Sequence, residues 1–364
     1  MIVAGTRPEI IKLAPLIKRL KSDEYSFVHT GQHHDRNLSA QFIADLGLPH
    51  PNMEFRLTCK EPSLQMSEMI AHVHKAIGDF RPEMMCVEGD TNTVLAASIA
   101  ALKNGTSICH IEAGLRSRDW RMPEEHNRIV ADHTSDILFA PTREAGRNLR
   151  YENVHGQVHV TGNTVIDAIN QNVSIAEAKS SVKIPRHEYI LATLHRAENV
   201  DDPKTLSSLI RSIISVPIKV VFPIHPRTMS NLRKFGVYEE LEQAGNVQIM
   251  PPLGYFDFLW LMKKCEFLIT DSGGIQEEVT APSMRKQVLV LRRTTERPEA
   301  VKSGFAKVVG TDSKRIVHVV ESMLKHSKRL HNSLPNRSPY GDGHASVKIE
   351  RIIRRYLNKK NHNH

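Results

Sequence analysis

Short apolar, β-branched runs alternate with longer segments of helical spacing from one end of the chain to the other. The runs "MIVAG", "SFVHTG", "MMCVEGD", "SICHIEAG", "ILFAPT" and "VHVTGN" predict strands in the first half. In the second half "YILATLHR", "KVVFPIHP", "VQIMPP", "FLITDSGG", "VLVLRR" and "KVVGTD" do the same. Between them lie segments such as "TNTVLAASIAALKNG", rich in helix formers and closed by a glycine suited to a left-handed cap. Strand, helix, strand repeated this often implies parallel sheets with helices on both faces.

The strand count implies two such sheets in succession, and a length of 364 residues exceeds what one hydrophobic core usually fills. The expected fold is therefore α/β: two Rossmann-like, doubly wound parallel-sheet domains. A polar stretch over 170–188, "NQNVSIAEAKSSVKIPRHE", is the expected connection, with a long helix from about Thr164 before it. The expected domains are 1–169 and 170–343. Beyond the punctuation of "SLPNRSPYGDG", an amphipathic helix over 344–358 is expected to pack back on the first domain.

Composition narrows the function classes. Apolar residues make up 40% and charged residues 24%, and no stretch approaches the ~18 uninterrupted apolar residues of a membrane span. The start, "MIVAGTRPEIIK", lacks the design of a secretion signal, so a cytoplasmic protein without membrane partners is expected. The net charge of +9 is concentrated from Thr311 onward, where 12 Lys/Arg face 4 Asp/Glu. Aromatics are 5% of the chain and are not interleaved with those charges, which argues against a nucleic-acid partner. Cys59, Cys86, Cys109 and Cys265 are scattered, so buried reduced thiols are expected. The 20 histidines show no zinc spacing, and neither dinucleotide nor Walker fingerprints occur, so no metal or cofactor is expected, a weak magnesium site on carboxylates being left open.

Doubly wound sheets bind ligands beyond the carboxyl ends of their strands. There, "GTRPEIIK" places Arg7 beside a helix N-terminus suited to anions, with Lys12 a candidate for the same ligand. "EGDTNT", "IEAGLR" and "MPEEHNR" place Asp90, Glu112 and Glu124 on one rim. One acidic first turn is commonly a dipole complement, but three carboxylate-bearing loops suit proton transfer. "TLHRAEN" and "PIHPR" put His195 and His225 at strand ends, though a lone histidine is more often structural. In "DSGGIQEE", Ser272, Gly273 and Gly274 offer amides for phosphate, and Glu278 suits the paired hydroxyls of a ribose. Arg297 can fork onto a diphosphate or pair with a carboxylate. Together these describe a nucleotide site.

"GTRPEIIKLAPL", "GDTNTVLAASIAAL", "HIEAGLRS", "PEEHNR", "TGNTVIDA", "TDSGGIQEE", "TERPEAV" and "PYGDG" stand in the order and spacing of the non-hydrolysing UDP-N-acetylglucosamine 2-epimerases, which the chain resembles from residue 1 to about 357. The resemblance implies two domains facing a cleft, a homodimer, and interconversion of UDP-GlcNAc and UDP-ManNAc by elimination of UDP to a 2-acetamidoglucal and its re-addition. It gives Asp90, Glu112 and Glu124 the proton transfers and His195, Arg7 and Arg297 the leaving UDP. It also puts Phe258 beside uracil, Ser272 on phosphate, Glu278 on ribose and Lys12 at the nucleotide sugar.

Three departures stand out. "GTRPE" arrives after four residues, so the first strand is expected to be short or the start codon to lie upstream. "SMRKQVLVLRR" replaces a small, proline-containing turn before Arg297. An activating second site that uses "QHRQ" in bacterial relatives reads "QHHD" here: Gln32 and His225 match, but Asp35 would repel a phosphate, so weak or absent activation by substrate is expected. A hydrolysing epimerase, a glycosyltransferase on the same scaffold and a non-catalytic sugar-nucleotide sensor are the competing readings.

Overall fold

The computed structural model describes residues 1–32, 42–59, 61–326 and 332–362. The chain divides into two compact units, one formed by Met1–Ala168 with Tyr340–His364 and the other by Ile169–Pro339.

The first unit is built on strands Ile2–Ala4 (β1), Phe27–His29 (β2), Met53–Glu54 (β3), Met84–Glu88 (β4), Ser107–Ile111 (β5), Ile137–Ala140 (β6) and Gln157–Val160 (β7), in the order β3-β2-β1-β4-β5-β6-β7. Every pairing is parallel. The two-residue β3 is the strand the apolar pattern does not predict: Met53 is half-buried and Glu54 exposed, so it carries no run to detect. The central strands β1, β4 and β5 are buried on both faces, which is why they read as continuous apolar runs. Val3, Val28, Met85 and Val87 pack there with Val94, Ala97 and Ala101 of the helix Asn92–Lys103.

The second unit has strands Tyr189–Thr193 (β8), Lys219–Pro223 (β9), Val247–Met250 (β10), Leu268–Thr270 (β11), Val288–Val290 (β12) and Ala306–Val308 (β13), in the order β10-β9-β8-β11-β12-β13, again parallel. Ile190, Phe222, Ile269 and Leu289 of this sheet pack against Leu206, Leu209, Ile210 and Ile213 of the helix Pro203–Ser215.

The helix expected from about Thr164 runs Thr164–Lys179 and therefore takes up the first ten residues of the polar stretch 170–188, the remainder being irregular. The C-terminal helix Ala345–His362 belongs to the first unit. Asp167 anchors its start by accepting from Ala345 N at 3.1 Å, Ser346 N at 2.9 Å and Ser346 Oγ at 2.6 Å. Further along, Arg354 pairs with Glu24 at 2.8 Å and Glu350 with Arg19 at 2.6 Å. Cys86, Cys109 and Cys265 are buried free thiols and Cys59 is half-buried and free; Cys86 and Cys109 meet across β4 and β5 at 2.9 Å. Among the described residues no helix is long and apolar enough to cross a membrane, and no cluster of three metal-ligating side chains forms.

In each sheet the strand order reverses once, between β1 and β4 and between β8 and β11. Such switch points open a crevice at the strand carboxyl ends.

Candidate active site

At the switch point of the first unit, the chain leaves β1 through Gly5 and Thr6 into the helix Arg7–Ile17. Glu9 closes this turn by accepting from Gly5 N at 2.7 Å and Thr6 N at 2.6 Å, and it takes a third bond, at 2.5 Å, from Thr91 Oγ1. Arg7, half-buried, lies with its guanidinium carbon 5.7 Å above the Phe42 ring. Lys12 extends from the same helix to Glu112, with Nζ 2.7 Å from Oε2 and 3.2 Å from Glu88 Oε1.

Glu112 is the first residue beyond β5 and has φ = 69°. A non-glycine residue there costs about 1–3 kcal/mol and persists only where its surroundings dictate it. Here Lys12 and Asn163 dictate it, since Asn163 Nδ2 also donates to Glu112 Oε2 at 2.7 Å.

Asp90, two residues beyond β4, is held by Arg128 through Nε at 3.1 Å and through Nη2. The other arm of Arg128 binds Glu125 at 2.6 Å. The adjacent glutamates of "PEEHNR" thus separate in role. Glu125 is buried and accepts from Ser117 N, Ser117 Oγ and Arg118 N, pinning the preceding loop. Glu124 is half-buried on the first helical turn and makes no ion pair among the described residues. Beneath the carboxylate loops, His110 contacts Gly89 O through Nε2 and Asp132 through Nδ1, both at 2.7 Å, while Asp132 accepts from Gly114 N at 3.1 Å. One buried pair therefore ties the loop before Asp90 to the loop after Glu112.

At the switch point of the second unit, Asp271 is buried and organises the turn after β8. It accepts from the backbone N–H of His195 at 3.1 Å and of Arg196 at 3.0 Å, and from Asn199 Nδ2 at 3.1 Å. Its carboxylate also lies 3.3 Å from His195 Nδ1. Burial lowers the His195 pKa, with Asp271 opposing. The His195 and His225 rings meet at a centroid distance of 6.1 Å, and His225 caps the helix Pro226–Lys234.

Ser272 caps the short helix Gly273–Glu278, which leaves the amides of Gly273 and Gly274 without helical acceptors. The two glycines answer different needs. A Cβ at Gly273 would stand 2.6 Å from Glu296 Oε1, whereas at Gly274 nothing lies nearer than Ser272 Oγ at 4.0 Å. Gly273 is required by packing; Gly274 is not.

Arg297 is buried with Nε 2.6 Å from Glu277, so the carboxylate, one of its two expected partners, is in place beside it. Glu296 faces Arg292 at 2.6 Å and Arg196 at 3.5 Å. Burial would raise its pKa, but the guanidinium groups of Arg297, Arg292 and Arg196 prevail and hold it at about 2. Glu278 is half-buried, and its charge adds to burial in raising the pKa of the Tyr255 phenol. Phe258 is half-buried on the neighbouring helix Tyr255–Lys264.

The structure thus brings Lys12 together with Glu112 and His195 together with His225. Gln32 Oε1 is occupied by Thr93 N at 3.0 Å and Thr93 Oγ1 at 2.8 Å, and Asp35 lies outside the described residues. Glu88, Glu9, Arg128, Asn163, Asp271 and Glu296 are the site groups that residue-type reasoning passed over. Asp271 and Arg128 stood inside the motifs "DSGG" and "PEEHNR", and Glu88 was visible as an acid closing an apolar strand.

Two doubly wound sheets with charged and hydrogen-bonding groups massed at both switch points define an α/β protein of the class whose ligands bind at strand ends. The chain belongs to the UDP-N-acetylglucosamine 2-epimerase family, whose model matches residues 17–354. It is similar to the UDP-N-acetylglucosamine 2-epimerase of Methanococcus maripaludis, at 41% identity over 97% of each chain. Among solved structures it is similar to the Methanocaldococcus jannaschii UDP-GlcNAc 2-epimerase in complex with UDP-GlcNAc and UDP (37% identity, 97% of this chain and 98% of that one, TM-score 0.85). The Neisseria meningitidis UDP-GlcNAc 2-epimerase bound to UDP-GlcNAc is also similar (33% identity, 97% and 99%, TM-score 0.86).

Proposed function

We propose that this chain interconverts UDP-GlcNAc and UDP-ManNAc by epimerisation at carbon 2, without consuming UDP. Family membership over nearly the whole chain supports the substrate. The observation that carries the chemistry is the pair of carboxylates, Asp90 and Glu112, on successive strand ends of the first unit, each held by a cation.

In the forward direction a carboxylate takes the proton from carbon 2 as the bond from carbon 1 to the diphosphate oxygen breaks, leaving a double bond between the two carbons and free UDP. Return of a proton to the opposite face of carbon 2, with re-formation of the bond to UDP, gives the epimer. The proton at carbon 2 is weakly acidic, so its loss is coupled to departure of the leaving group, and positive charge develops at carbon 1. Carboxylates stabilise that charge and carry the protons; cations stabilise the departing diphosphate. Two faces need two groups, drawn from Asp90, Glu112 and Glu124. Arg7, His195 and Arg297 are assigned to the diphosphate, Lys12 to the nucleotide sugar and to Glu112, and Phe258 to uracil. Ser272, Gly273 and Gly274 are assigned to phosphate and Glu278 to ribose. Gly274, which no packing constraint demands, is the glycine whose open side suits phosphate approach.

We further take the enzyme to be cytoplasmic, to be a homodimer, as the family resemblance implies, and to show weak or absent activation by substrate; a sigmoidal rate curve abolished by Gln32→Ala contradicts the last. Incubation with UDP-GlcNAc in deuterium oxide followed by chromatography tests the main reading. UDP-ManNAc carrying deuterium at carbon 2 supports it, and stoichiometric UDP with free ManNAc supports a hydrolysing enzyme instead.

A further inference from the structure

Glu88 closes β4 with 1% of its surface exposed. Its Oε1 is 3.2 Å from Lys12 Nζ, and that same ammonium stands 2.7 Å from Glu112 Oε2. Glu9 is also near enough for its charge to be felt. Two carboxyl groups thus share one ammonium in a buried place with a third carboxyl in the neighbourhood, and the three are not equally provided for. Glu9 has two backbone amides and the Thr91 hydroxyl. Glu112 has the Asn163 amide besides Lys12. At Glu88, among the described residues, the Oε1 atom has no donor besides the lysine it shares with Glu112, and that ammonium stands 3.2 Å away without forming a well-aligned hydrogen bond. A buried carboxylate without donors of its own is costly, and taking up a proton is the usual remedy. The balance of forces agrees: burial first, then the charges of Glu112 and Glu9, raise the Glu88 pKa well above the ordinary carboxylate range, against the pull of Lys12.

We propose that Glu88 is held as a neutral acid and that its protonation determines how fully Lys12 is committed to Glu112, making Glu88 a positioning residue that acts on the reaction through Lys12. While Glu88 is neutral, it makes no claim as an anion on the ammonium that Glu112 holds at 2.7 Å. Once Glu88 ionises, the ammonium is divided between two buried anions, Glu112 loses part of its counter-charge, and its affinity for a proton rises. The epimerase would then lose rate on the alkaline side for a reason seated outside the residues that touch substrate. The catalytic consequence rests on the acid/base role proposed above for Glu112; the electrostatic linkage does not.

Carboxyl-carbon NMR of protein labelled with ¹³C at the glutamate side-chain carboxyl tests the linkage directly, with resonances assigned by Glu88→Gln and Glu112→Gln. The Glu88 signal is expected at its protonated position at pH 7 and to titrate in the alkaline range, with the Glu112 signal moving at the same pH. In Glu88→Gln that step in the Glu112 signal should vanish. An ionised Glu88 at pH 7, or a Glu112 signal indifferent to Glu88, overturns the proposal.

Melting curves give a second reading. The native state keeps a proton that the unfolded chain releases above the ordinary glutamate range, so wild-type stability falls with rising pH in that window. The melting temperature of Glu88→Gln should therefore gain on wild type between pH 5 and pH 8, and a constant gap counts against a neutral Glu88. Finally, the alkaline fall in kcat/KM should shift upward or disappear in Glu88→Gln. An unchanged alkaline limb overturns the positioning role. A protein whose NMR and melting behave as expected but which leaves UDP-GlcNAc untouched overturns the proposed function instead.

Discussion

Lys12 and Glu112 meet at 2.7 Å across 100 residues of sequence, joining the first helix of the chain to the end of β5. Both side chains are largely buried, so the pair is sensitive to loss of either member. Lys12→Met would leave Glu112 and Glu88 around a missing charge. Removing one partner of a buried pair costs about 3–5 kcal/mol. The variant is expected to melt earlier and to lose kcat by about a hundredfold or more, since an acid/base group deprived of its tuning partner forfeits much of its contribution. Steady-state kinetics beside a melting curve checks this, and a kcat within about threefold of wild type removes Lys12 from the mechanism.

Asp90 offers a separation of binding from chemistry. Its side chain keeps 30% of its exposure while the Arg128 that holds it keeps 5%, so the carboxylate is both fixed and reachable. Asp90→Asn preserves the shape and should leave UDP affinity by calorimetry within about twofold. Turnover is expected to fall about a hundredfold or more, the usual contribution of one proton-transfer group. Full activity in this variant contradicts the assignment.

How much of this was readable in the sequence depends on the range of the interaction. The central strands were readable because a parallel strand buried on both faces must be apolar throughout; the less buried edge strands β7 and β10 still carried β-branched residues to detect, and only the two-residue, partly polar Met53–Glu54 escaped. Candidate residues such as Asp90, Glu112, His195 and Ser272 were readable because doubly wound sheets present strand ends to ligands. The pairings were not. Nothing near Lys12 in sequence announces Glu112 or Glu88, and nothing near Arg297 announces Glu277, because such partners are selected by strand order. Glu88 shows the limit most clearly: as a letter it is an ordinary strand-end acid, and that its one donor among the described residues is a lysine shared with Glu112 emerges only in three dimensions.

His195 should report on Asp271. Burial lowers the histidine's pKa and the Asp271 carboxylate, 3.3 Å from Nδ1, opposes that shift. Asp271→Asn removes the opposing charge, so the imidazole should titrate at still lower pH. Proton NMR of the ring across pH 4–8 reads the midpoint, which is expected to move down relative to wild type. If the rate has an acid limb from His195, that limb should move the same way. A midpoint that rises or stays put contradicts the geometry.

Glu296 links charge to stability in the second unit. Its pKa is held at about 2 because Arg297, Arg292 and Arg196 outweigh its burial. A carboxyl depressed in the native state contributes stability that is present above the ordinary glutamate value of about 4.3 and is lost as pH falls through the native one. From the size of the shift, the contribution at neutral pH is on the order of 3 kcal/mol. Glu296→Gln should therefore lower the urea midpoint clearly at pH 7, because it also leaves buried guanidinium groups short of a counter-charge. The deficit should narrow steadily between pH 5 and pH 2, as wild type gives up the same interaction by protonation. Denaturation curves at several pH values measure it, and a deficit independent of pH would show that shape at Glu296, rather than its charge among the arginines, holds this part of the fold.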